Sequence, residues 1–342
     1  MPKFDGTSER YDILFDFSST SSGGGLRRIK AYAKYFSTSP LKTHFFIDER
    51  MKNSDAIQRL VSSTLVRNTE FSKFMLHKKY LSPYKNQAKW LFSYGIPIKG
   101  NIAKKHWLHI SNILPFAIFD VTLEPYLFFK MFVLRQQFKN NMLINNVVSA
   151  ESNFSINKYH EITASTAHHC LLRNGIDSNK LNLTKFDKEP IAISIGTYTY
   201  KRLDLTYKLF QSLKKDLGLE TLLLVGESKR IPKFIKNACD VEIQNFLTED
   251  CLKLRLKKAS YFISTSEAEN SSCAVQEGLL LTKKAILSDI PSHREMLKHN
   301  FSGAFKCNGM DLLMVNYSDM SRESMKNWTN EIEEMLSRME LL

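Results

Sequence analysis

From Ile191 onward, the sequence alternates short apolar runs with longer polar or amphipathic stretches, and this alternation restricts the fold more than any other feature. The apolar runs have the length and composition of buried strands, and the stretches between them are long enough for helices. The predicted strands are Ile191–Ile195, Leu222–Val225, Val241–Ile243, Tyr261–Ser264 and Ala285–Leu287. Strands that alternate with helices form a parallel sheet with right-handed crossovers. We therefore predict an α/β fold for this half of the chain.

The first half of the chain opens with the same pattern. Tyr11–Phe17 is predicted to be a strand, and apolar residues then recur at helical spacing from Leu26 to Phe36. Residues 51–95 are predicted to be mostly helical. Further predicted strands are Thr43–Ile47, His106–Ile110 and Asn145–Ala150.

Length and composition indicate a globular chain of two domains. The 342 residues are 43% hydrophobic and 24% charged. We place the domains at residues 1–183 and 184–317, followed by an amphipathic helix at 318–342. The polar N-terminus predicts no signal peptide, and charged residues interrupt the most apolar region, Trp107–Leu134, too often for a transmembrane helix.

Charge and cysteine content restrict the partners and the compartment. The formal net charge of +13 and the pI near 9.3 favour nucleic acid, anionic lipid or a phosphorylated substrate. The five cysteines are odd in number and form no Cys-x-x-Cys, as expected for reduced thiols in the cytoplasm. The segment Leu123–Asn141 mixes aromatic and basic residues, which predicts either a core helix or a face that rests on an anionic membrane.

A glycine run lies between the first predicted strand and the first predicted helix. Gly23, Gly24 and Gly25 are predicted to form a loop whose backbone N–H groups approach a ligand. Their spacing differs from Gly-x-Gly-x-x-Gly, which argues against a nicotinamide-dependent enzyme. Arg27 and Arg28 follow, and we expect them either to aid anion binding or to be exposed helix residues.

The stretch from Ser264 to Met296 reads as strand end, polar loop, helix, strand and polar loop. Glu269 lies in the first loop, and Glu277 lies in the second turn of the helix, which Ser271 or Ser272 can cap. Both carboxylates are expected beyond the carboxyl ends of the strands, where open α/β sheets bind ligands. The N–H groups of Asn270–Cys273 suit a phosphate or a sugar oxygen.

This stretch resembles the donor-binding region of retaining GT-B glycosyltransferases of family 4. The pattern of that family is a Ser, a Glu-x7-Glu pair and a final Glu, matched in order by Ser266, Glu269, Glu277 and Glu295. Asn270, Ser271 and Ser272 stand where the family usually has Gly-Phe-Gly. The resemblance implies the GT-B architecture, in which two Rossmann-like domains with parallel sheets face a cleft and a C-terminal helix returns toward the first domain.

The resemblance also implies roles for the second domain. Glu277 would bind the ribose hydroxyls of a nucleotide, and Glu269 would bind the donor sugar. Gly196 and Lys201 match the family's Gly-loop-Lys segment, which holds the donor diphosphate. The Arg often found after that Gly is replaced by Thr197, so Arg202 is the candidate substitute.

In the first domain, Gly24 and Gly25 match the position of a glycine-rich donor loop. His109 matches a His that contacts the donor sugar or the acceptor, and Asn112 is expected at the acceptor. A His at a strand end is also a common structural hydrogen-bonder, so both interpretations of His109 stay open. Residues 171–177 resemble the family's Asn-Gly-Ile-Asp segment before the domain junction.

The expected function is transfer of a sugar, with retention, from a nucleotide-diphosphate sugar to a saccharide or lipid-linked acceptor in bacterial surface polysaccharide or lipopolysaccharide synthesis. Neither a metal nor another cofactor is expected, because no Asp-x-Asp stands where a metal would bridge the diphosphate. We expect a cytoplasmic protein that is peripheral to the inner face of the membrane. The alternatives are a basic nucleic-acid-binding protein and a non-catalytic GT-B scaffold. Dispersed basic residues argue against the first alternative, and no nucleic-acid partner is expected.

Overall fold

A computed structural model describes residues 10–20, 23–60, 62–67, 79–140, 145–163, 165–176, 187–245, 247–298 and 301–342. The chain forms two compact units, each with its own sheet. Unit 1 consists of Met1–Phe116, Phe129–Gly175 and Trp328–Leu342, and unit 2 consists of Ala117–Phe128 and Ile176–Asn327. The boundary predicted after residue 183 lies outside the described residues.

The strands of the two sheets follow each other along the chain. Those of unit 1 are β1 (Tyr11–Phe17), β2 (Thr43–Asp48), β3 (Ser63–Val66), β4 (Ala88–Tyr94), β5 (Lys105–Ile110), β6 (Val147–Ala150) and β7 (His168–Leu171). Those of unit 2 are β8 (Glu189–Ile195), β9 (Thr221–Val225), β10 (Val241–Gln244), β11 (Ala259–Ser264), β12 (Lys284–Ser288), β13 (Gly303–Cys307) and β14 (Met310–Asn316).

Helices connect most of these strands. The α-helices are α1 (Gly23–Phe36), α2 (Asp55–Gln58), α3 (Pro125–Asn140), α4 (Asn153–Thr163), α5 (Leu203–Leu213), α6 (Lys233–Lys236), α7 (Glu249–Lys258), α8 (Cys273–Thr282), α9 (Pro291–Met296) and α10 (Trp328–Arg338). Short 3-10 helices span Glu49–Met51, Lys79–Tyr84, Thr199–Lys201, Ser228–Arg230, Tyr317–Asp319 and Glu323–Met325. None of the helices among the described residues has the length and apolar character needed to cross a bilayer.

The sheet of unit 1 is parallel throughout and has the strand order β3-β2-β1-β4-β5-β6-β7. Its core is rich in aromatic rings, and Phe15 stacks on Phe45 at a centroid distance of 4.7 Å. The C-terminal helix α10 belongs to this core: Met335 is buried there, and Trp90 Nε1 donates a hydrogen bond to the carbonyl of Met339. Packing of this apolar face, rather than helix propensity, provides most of the stability of α10.

The prediction that residues 51–95 are mostly helical is wrong. This region contains β3 and the central strand β4, which pairs with β1 and β5. The sequence of β4, AKWLFSY, is almost continuously apolar because a parallel strand is buried on both faces. Such a run lacks the two-residue alternation that identifies a strand.

The sheet of unit 2 has the order β10-β9-β8-β11-β12-β14-β13. The five predicted strands are confirmed as β8 to β12, which are parallel. The antiparallel hairpin β13–β14 at the edge was not predicted. From β8, the sheet continues with β9 and β10 on one side and with β11 and β12 on the other, so the strand order reverses its direction at β8. The crevice of such a sheet therefore lies at the carboxyl ends of β8 and β11.

Candidate functional site

An ion pair joins the carboxyl ends of β8 and β11. Lys201 ends the 3-10 helix Thr199–Lys201 after β8, and its Nζ donates to Oε1 of Glu269 in the loop after β11. Ser266 Oγ donates to the same oxygen at 2.7 Å. The side chains of Lys201 and Glu269 are only 14% and 11% exposed. The structure thus brings together two residues that the sequence placed in separate motifs.

Electrostatics keep Glu269 ionised. Burial by itself would raise the pKa of this carboxyl group, but the ammonium of Lys201 and the hydroxyl of Ser266 stabilise the charged form and hold the pKa below its ordinary value. The site therefore combines one fixed anion with one fixed cation. A carboxylate can accept hydrogen bonds from sugar hydroxyls, and an ammonium can bind a phosphate.

Gly196 has a backbone conformation and a neighbour that explain the Gly-loop-Lys spacing. Its φ is +98°, a region that side chains rarely adopt, and a Cβ would lie 3.2 Å from Lys201 Cε. Its N–H donates to the carbonyl of Val225 at 2.8 Å. The glycine therefore lets the stem of Lys201 lie over the end of β8.

Arg202 is directed at carboxylates other than Glu269. Its guanidinium donates to Asp204 at 3.1 Å and, through Nη1, to Glu267 at 2.7 Å. The hydrogen bonds with Asp204 and Glu267 raise the pKa of Arg202 above its already high value. Its φ of +50° is unusual for a residue with a side chain. The predicted contact of Arg202 with a diphosphate stays a prediction.

Glu267 was not assigned a role from the sequence, although it lies two residues from Glu269. It accepts a hydrogen bond from the backbone N–H of Thr122 at 2.6 Å and another from Thr122 Oγ1 at 3.1 Å. Its own N–H donates to the carbonyl of Tyr200 at 2.9 Å. These contacts hold Ala117–Phe128 in unit 2, and no local pattern indicates a pairing over 145 residues.

The amino terminus of α8 confirms the predicted cap. Ser272 Oγ accepts a hydrogen bond from the N–H of Val275 at 3.4 Å. Asn270 and Ser271 are buried just before the helix, and Glu277 is half-buried in its second turn. The helix dipole gives this end a partial positive charge, which favours an anionic ligand.

A buried histidine, His293, lies close enough to Glu269 to interact with its charge. His293 in α9 has its Nδ1 2.8 Å from the carbonyl of Ser288, and its Nε2 has no hydrogen-bond partner among the described residues. Burial lowers the pKa of His293, which the charge of Glu269 opposes. The sequence interpretation did not assign this histidine. Glu295, the last Glu of the resemblance, is half-buried in the same helix.

Unit 2 also contains an open cavity of about 390 Å³. Its wall includes residues that follow β11 and β12, together with the turn between β13 and β14. The residues that line it include Asp120, Arg202, Ser266, Glu267 and Asp289. The cavity therefore adjoins the Arg202–Glu267 pair.

In unit 1, the glycine run does not form the predicted loop. Gly23–Phe36 is helical, so Gly24 and Gly25 lie in the first turn of α1. A Cβ on Gly25 would lie 2.4 Å from Thr20 Cγ2 and 3.1 Å from Tyr94, so a larger residue would require these side chains to move. Close packing against these neighbours explains Gly25, and the donor contact predicted for both glycines stays a prediction.

Arg28 is fully buried, so the expectation of an exposed helix residue is wrong. Its guanidinium donates to the carbonyls of Leu172 and Arg173, at 3.2 and 2.9 Å, and to Asn174 Oδ1 at 3.3 Å. The ring of Trp328 lies 5.3 Å away. Arg28 thereby connects α1 with the Asn-Gly segment after β7 and with α10, all within unit 1.

His109 is fully buried at the end of β5. Its ring stacks on Tyr94 at 5.3 Å, Nδ1 is 2.8 Å from Ser149 Oγ, and Nε2 is 3.7 Å from Glu151. Burial, aided by the charge of Arg28, lowers its pKa well below the usual value, so the ring is neutral at pH 7. These contacts suit a structural role, and the predicted contact of His109 with a donor sugar or an acceptor stays a prediction.

Asn112 is half-buried in the turn after β5. Its Oδ1 accepts a hydrogen bond from the N–H of Leu114 at 2.9 Å, and its Nδ2 is 3.6 Å from Met131 Sδ. The side chain therefore stabilises the turn, as asparagine commonly does. Its predicted contact with an acceptor stays a prediction.

Comparisons with known proteins agree with the fold described above. Residues 176–312 match the family model described as glycosyl transferases group 1, and this segment contains Lys201, Glu269 and Glu277. No curated protein sequence matches the chain significantly.

Several solved structures share the fold. Anabaena Alr3699/HepE in complex with UDP and glucose aligns with a TM-score of 0.64 at 14% identity, covering 97% of this chain and 100% of that chain. A Rickettsia africae ESF-5 glycosyltransferase aligns with a TM-score of 0.59 at 17% identity, covering 86% and 83%. WaaG, a glycosyltransferase involved in lipopolysaccharide biosynthesis, aligns with a TM-score of 0.60 at 10% identity, covering 83% of both chains. The chain therefore has the GT-B fold of these glycosyltransferases, and its second unit matches the model of glycosyl transferases group 1.

Proposed function

We propose that this protein is a glycosyltransferase that uses a nucleotide-diphosphate sugar. The observation that carries the proposal is the pairing of Lys201 with Glu269 at the crevice of unit 2, beside the amino terminus of α8. The match of residues 176–312 to glycosyl transferases group 1 supports it.

Lys201 and the amino terminus of α8 supply the positive charge for the diphosphate. As the glycosidic bond breaks, negative charge develops on the leaving diphosphate, and fixed positive groups stabilise it. The N–H groups of Asn270, Ser271 and Ser272 provide further donors, and Arg202 adds a second cation if it leaves Glu267. In this proposal Gly24 and Gly25 contact the donor, and no metal takes part.

The carboxylates bind the hydroxyl groups of the donor. Glu277 accepts hydrogen bonds from the ribose, which an ionised acceptor makes stronger. Glu269 accepts hydrogen bonds from the donor sugar and offsets the positive charge of an oxocarbenium-like transition state. For a hexosyl transfer with retention, the acceptor hydroxyl attacks on the side that the diphosphate leaves, and a phosphate oxygen receives its proton.

We place His109 at the donor sugar and Asn112 at the acceptor. Because the His109 ring is fully buried, its role as a catalytic group requires a movement that uncovers the ring. The acceptor is a saccharide or a lipid-linked saccharide in bacterial surface polysaccharide or lipopolysaccharide synthesis. The WaaG structure, described as involved in lipopolysaccharide biosynthesis, supports this substrate class by analogy. We propose that the protein acts at the inner face of the cytoplasmic membrane, and its net charge of +13 supports this location.

The test is the release of nucleoside diphosphate from UDP-, GDP- and ADP-sugars, with Glu269→Gln as the site variant. Release from one donor class, strongly reduced in Glu269→Gln but not in the remote variant Glu249→Gln, supports the enzyme. Saturable nucleotide binding without any transfer supports the non-catalytic scaffold. Binding of any oligonucleotide with steep salt dependence supports the nucleic-acid alternative.

A further inference from the structure

Helix α3 exposes aromatic side chains to solvent on one face. Tyr126 is 67% exposed and Phe129 is 66% exposed, and Phe128 and Phe132 are 37% and 38% exposed. Residues three or four positions apart share a face of a helix, so Tyr126, Phe129 and Phe132 form one row, and Phe128 lies one turn before Phe132. The opposite face is also apolar and buries Met131, Leu134 and Phe138.

A helix on a protein surface normally has a polar outer face, but the amino-terminal half of α3 exposes mainly aromatic rings. Phe119, which precedes the helix, is 70% exposed, and its ring lies 6.0 Å from that of Phe128. Single exposed apolar residues are common, but a contiguous group marks an interaction surface. The sequence left two interpretations of this segment, a core helix or a membrane-facing one. The exposure of four rings shows that only the face with Met131, Leu134 and Phe138 is core.

The charges around this face are positive. Helix α3 contains Lys130, Arg135 and Lys139 and no acidic residue. The two carboxylates that precede it interact within unit 2, since Asp120 lines the cavity and Glu124 interacts electrostatically with Arg230. The aromatic face is thus bordered by lysines and complements a negatively charged surface.

The segment is held in place from its inner side. Thr122 donates two hydrogen bonds to Glu267, and Arg135 Nη1 donates to the carbonyls of Pro115 and Phe116 at 3.3 and 3.2 Å. These contacts fix the backbone on both sides of the exposed rings. A surface that is already ordered loses little conformational entropy when it binds.

We propose that the exposed face of α3, together with Phe119, is the surface by which this protein binds an anionic lipid bilayer. The helix lies in the plane of the interface, its rings insert among the headgroups, and Lys130 and Lys139 contact anionic lipids. Tyr126 suits this region because its ring is apolar and its hydroxyl group is polar, and the phenylalanine rings bury apolar area there. This inference rests on the proposed function, because an enzyme bound to the bilayer by this surface reaches a lipid-linked acceptor there.

A second copy of the chain is the less suitable occupant of this face. Two copies, each with a net charge of +13, repel each other, whereas an anionic bilayer attracts the same charge. The lysines at the border of the patch increase this difference.

Co-sedimentation with vesicles tests the proposal without any enzymatic readout. The probes are phosphatidylcholine vesicles with and without roughly one third phosphatidylglycerol. We expect the wild type to bind the anionic vesicles and to bind the neutral vesicles much more weakly. Tyr126→Gln and Phe129→Gln should each weaken binding about tenfold, because each removes a ring from the interface.

Phe234→Gln is the matched control, because Phe234 is also more than half exposed but lies on α6. It should bind vesicles like the wild type. Glutamine is the new residue in all three variants, so they have the same intrinsic helix propensity at the substituted position. Equal melting temperatures show that the variants are folded. Loss of binding in Phe234→Gln equal to that in Phe129→Gln, or no binding by the wild type, would overturn the proposal. A dimer that Phe129→Gln dissociates, without vesicle binding, would assign the face to a second copy. Because the release of nucleoside diphosphate is measured separately and without vesicles, failure here leaves the proposed function standing.

Discussion

Lys201 and Glu269 form an ion pair although 68 positions separate them in the sequence. They meet because β8 and β11 are neighbours in the sheet of unit 2, and each residue follows the carboxyl end of its strand. A cation suited to a phosphate and an anion suited to a hydroxyl group thereby occupy one crevice. The proposed roles of both residues depend on this arrangement.

Lys201→Ala should lower donor affinity and turnover while leaving the affinity for a free nucleoside nearly unchanged. The ammonium that neutralises the diphosphate is lost, and the nucleoside has no phosphate to contact it. We expect a loss of about 2 kcal/mol in diphosphate binding, as for a charge-assisted hydrogen bond. Titration calorimetry with nucleoside and nucleoside diphosphate measures both affinities.

Lys253→Ala is the matched control for Lys201→Ala, because Lys253 also forms an ion pair, with Glu249, at 2.7 Å in α7. It should bind both ligands like the wild type. An equal fall of nucleoside and diphosphate affinity in Lys201→Ala would show damage to the fold and contradict the phosphate role.

Glu277→Gln should weaken nucleotide binding by about 1.5–3 kcal/mol, because a neutral amide is a poorer acceptor for ribose hydroxyls than a carboxylate. The measurement is the dissociation constant of the nucleoside diphosphate, compared with that of Glu249→Gln. Comparison with the 2′,3′-dideoxy nucleotide sharpens the test, since the variant should lose little further affinity for it. Unchanged affinity for the ordinary nucleotide would remove Glu277 from the site.

His109→Ala tests the two interpretations of the buried ring. Removal of a fully buried ring that stacks on Tyr94 leaves a cavity and should cost about 3 kcal/mol of folding free energy. If the ring also acts at the donor sugar, turnover per folded molecule should fall more than nucleotide affinity. Melting temperature, nucleotide affinity and turnover on one preparation separate these effects. A lower melting temperature with normal turnover would return His109 to a purely structural role.

Unit 1 should lose stability as the pH falls below neutral. Burial lowers the pKa of His44, His106 and His169 to about 4 each. In the unfolded chain these groups bind protons near pH 6.5, so between about 6.5 and 4 the unfolded state binds more protons than the folded state. Their contribution is therefore complete above the unfolded pKa and is lost as the pH falls through this window.

Denaturant unfolding of the wild type and of His106→Gln at about pH 7.5 and about pH 5 checks this dependence. The variant lacks one titrating group, while its amide oxygen can still accept the hydrogen bonds that His106 Nε2 accepts from Ile102 and Ala103. Its stability should fall less between the two pH values. A steeper fall in His106→Gln than in the wild type would contradict the assignment.

Activity should survive a strong chelator. The sequence has no Asp-x-Asp, and Lys201 with the amino terminus of α8 supplies positive charge at the crevice. Turnover with excess chelator is compared with turnover after addition of magnesium or manganese. Inactivation that either metal reverses would overturn the assignment of the phosphate site.

The sequence predicted unit 2 well because its strands are short apolar runs between helices. The Ser272 cap of α8 and the spacing from Gly196 to Lys201 are local features, and local physics determines them. The central strand β4 was missed because burial on both faces removes the alternation that identifies a strand.

Long-range contacts could not be predicted in the same way. The hydrogen bonds from Thr122 to Glu267 and the burial of Arg28 depend on residues more than a hundred positions away. An arginine on a helix is usually solvated, and only the tertiary structure shows that backbone carbonyls surround Arg28. The outward direction of the α3 rings is likewise a tertiary property, because both faces of that helix are apolar.

The measurement that tests the central claim most directly is a thermal-shift titration of the wild type with UDP, GDP and ADP. We predict that one of these nucleoside diphosphates raises the melting temperature saturably, because a ligand at 100 times its dissociation constant adds roughly 2.7 kcal/mol of stability. Lys201→Ala should need a higher concentration of the same ligand for the same shift. No shift with any of the three, combined with tight, salt-sensitive binding of an arbitrary oligonucleotide, would contradict the claim that unit 2 binds a nucleotide sugar.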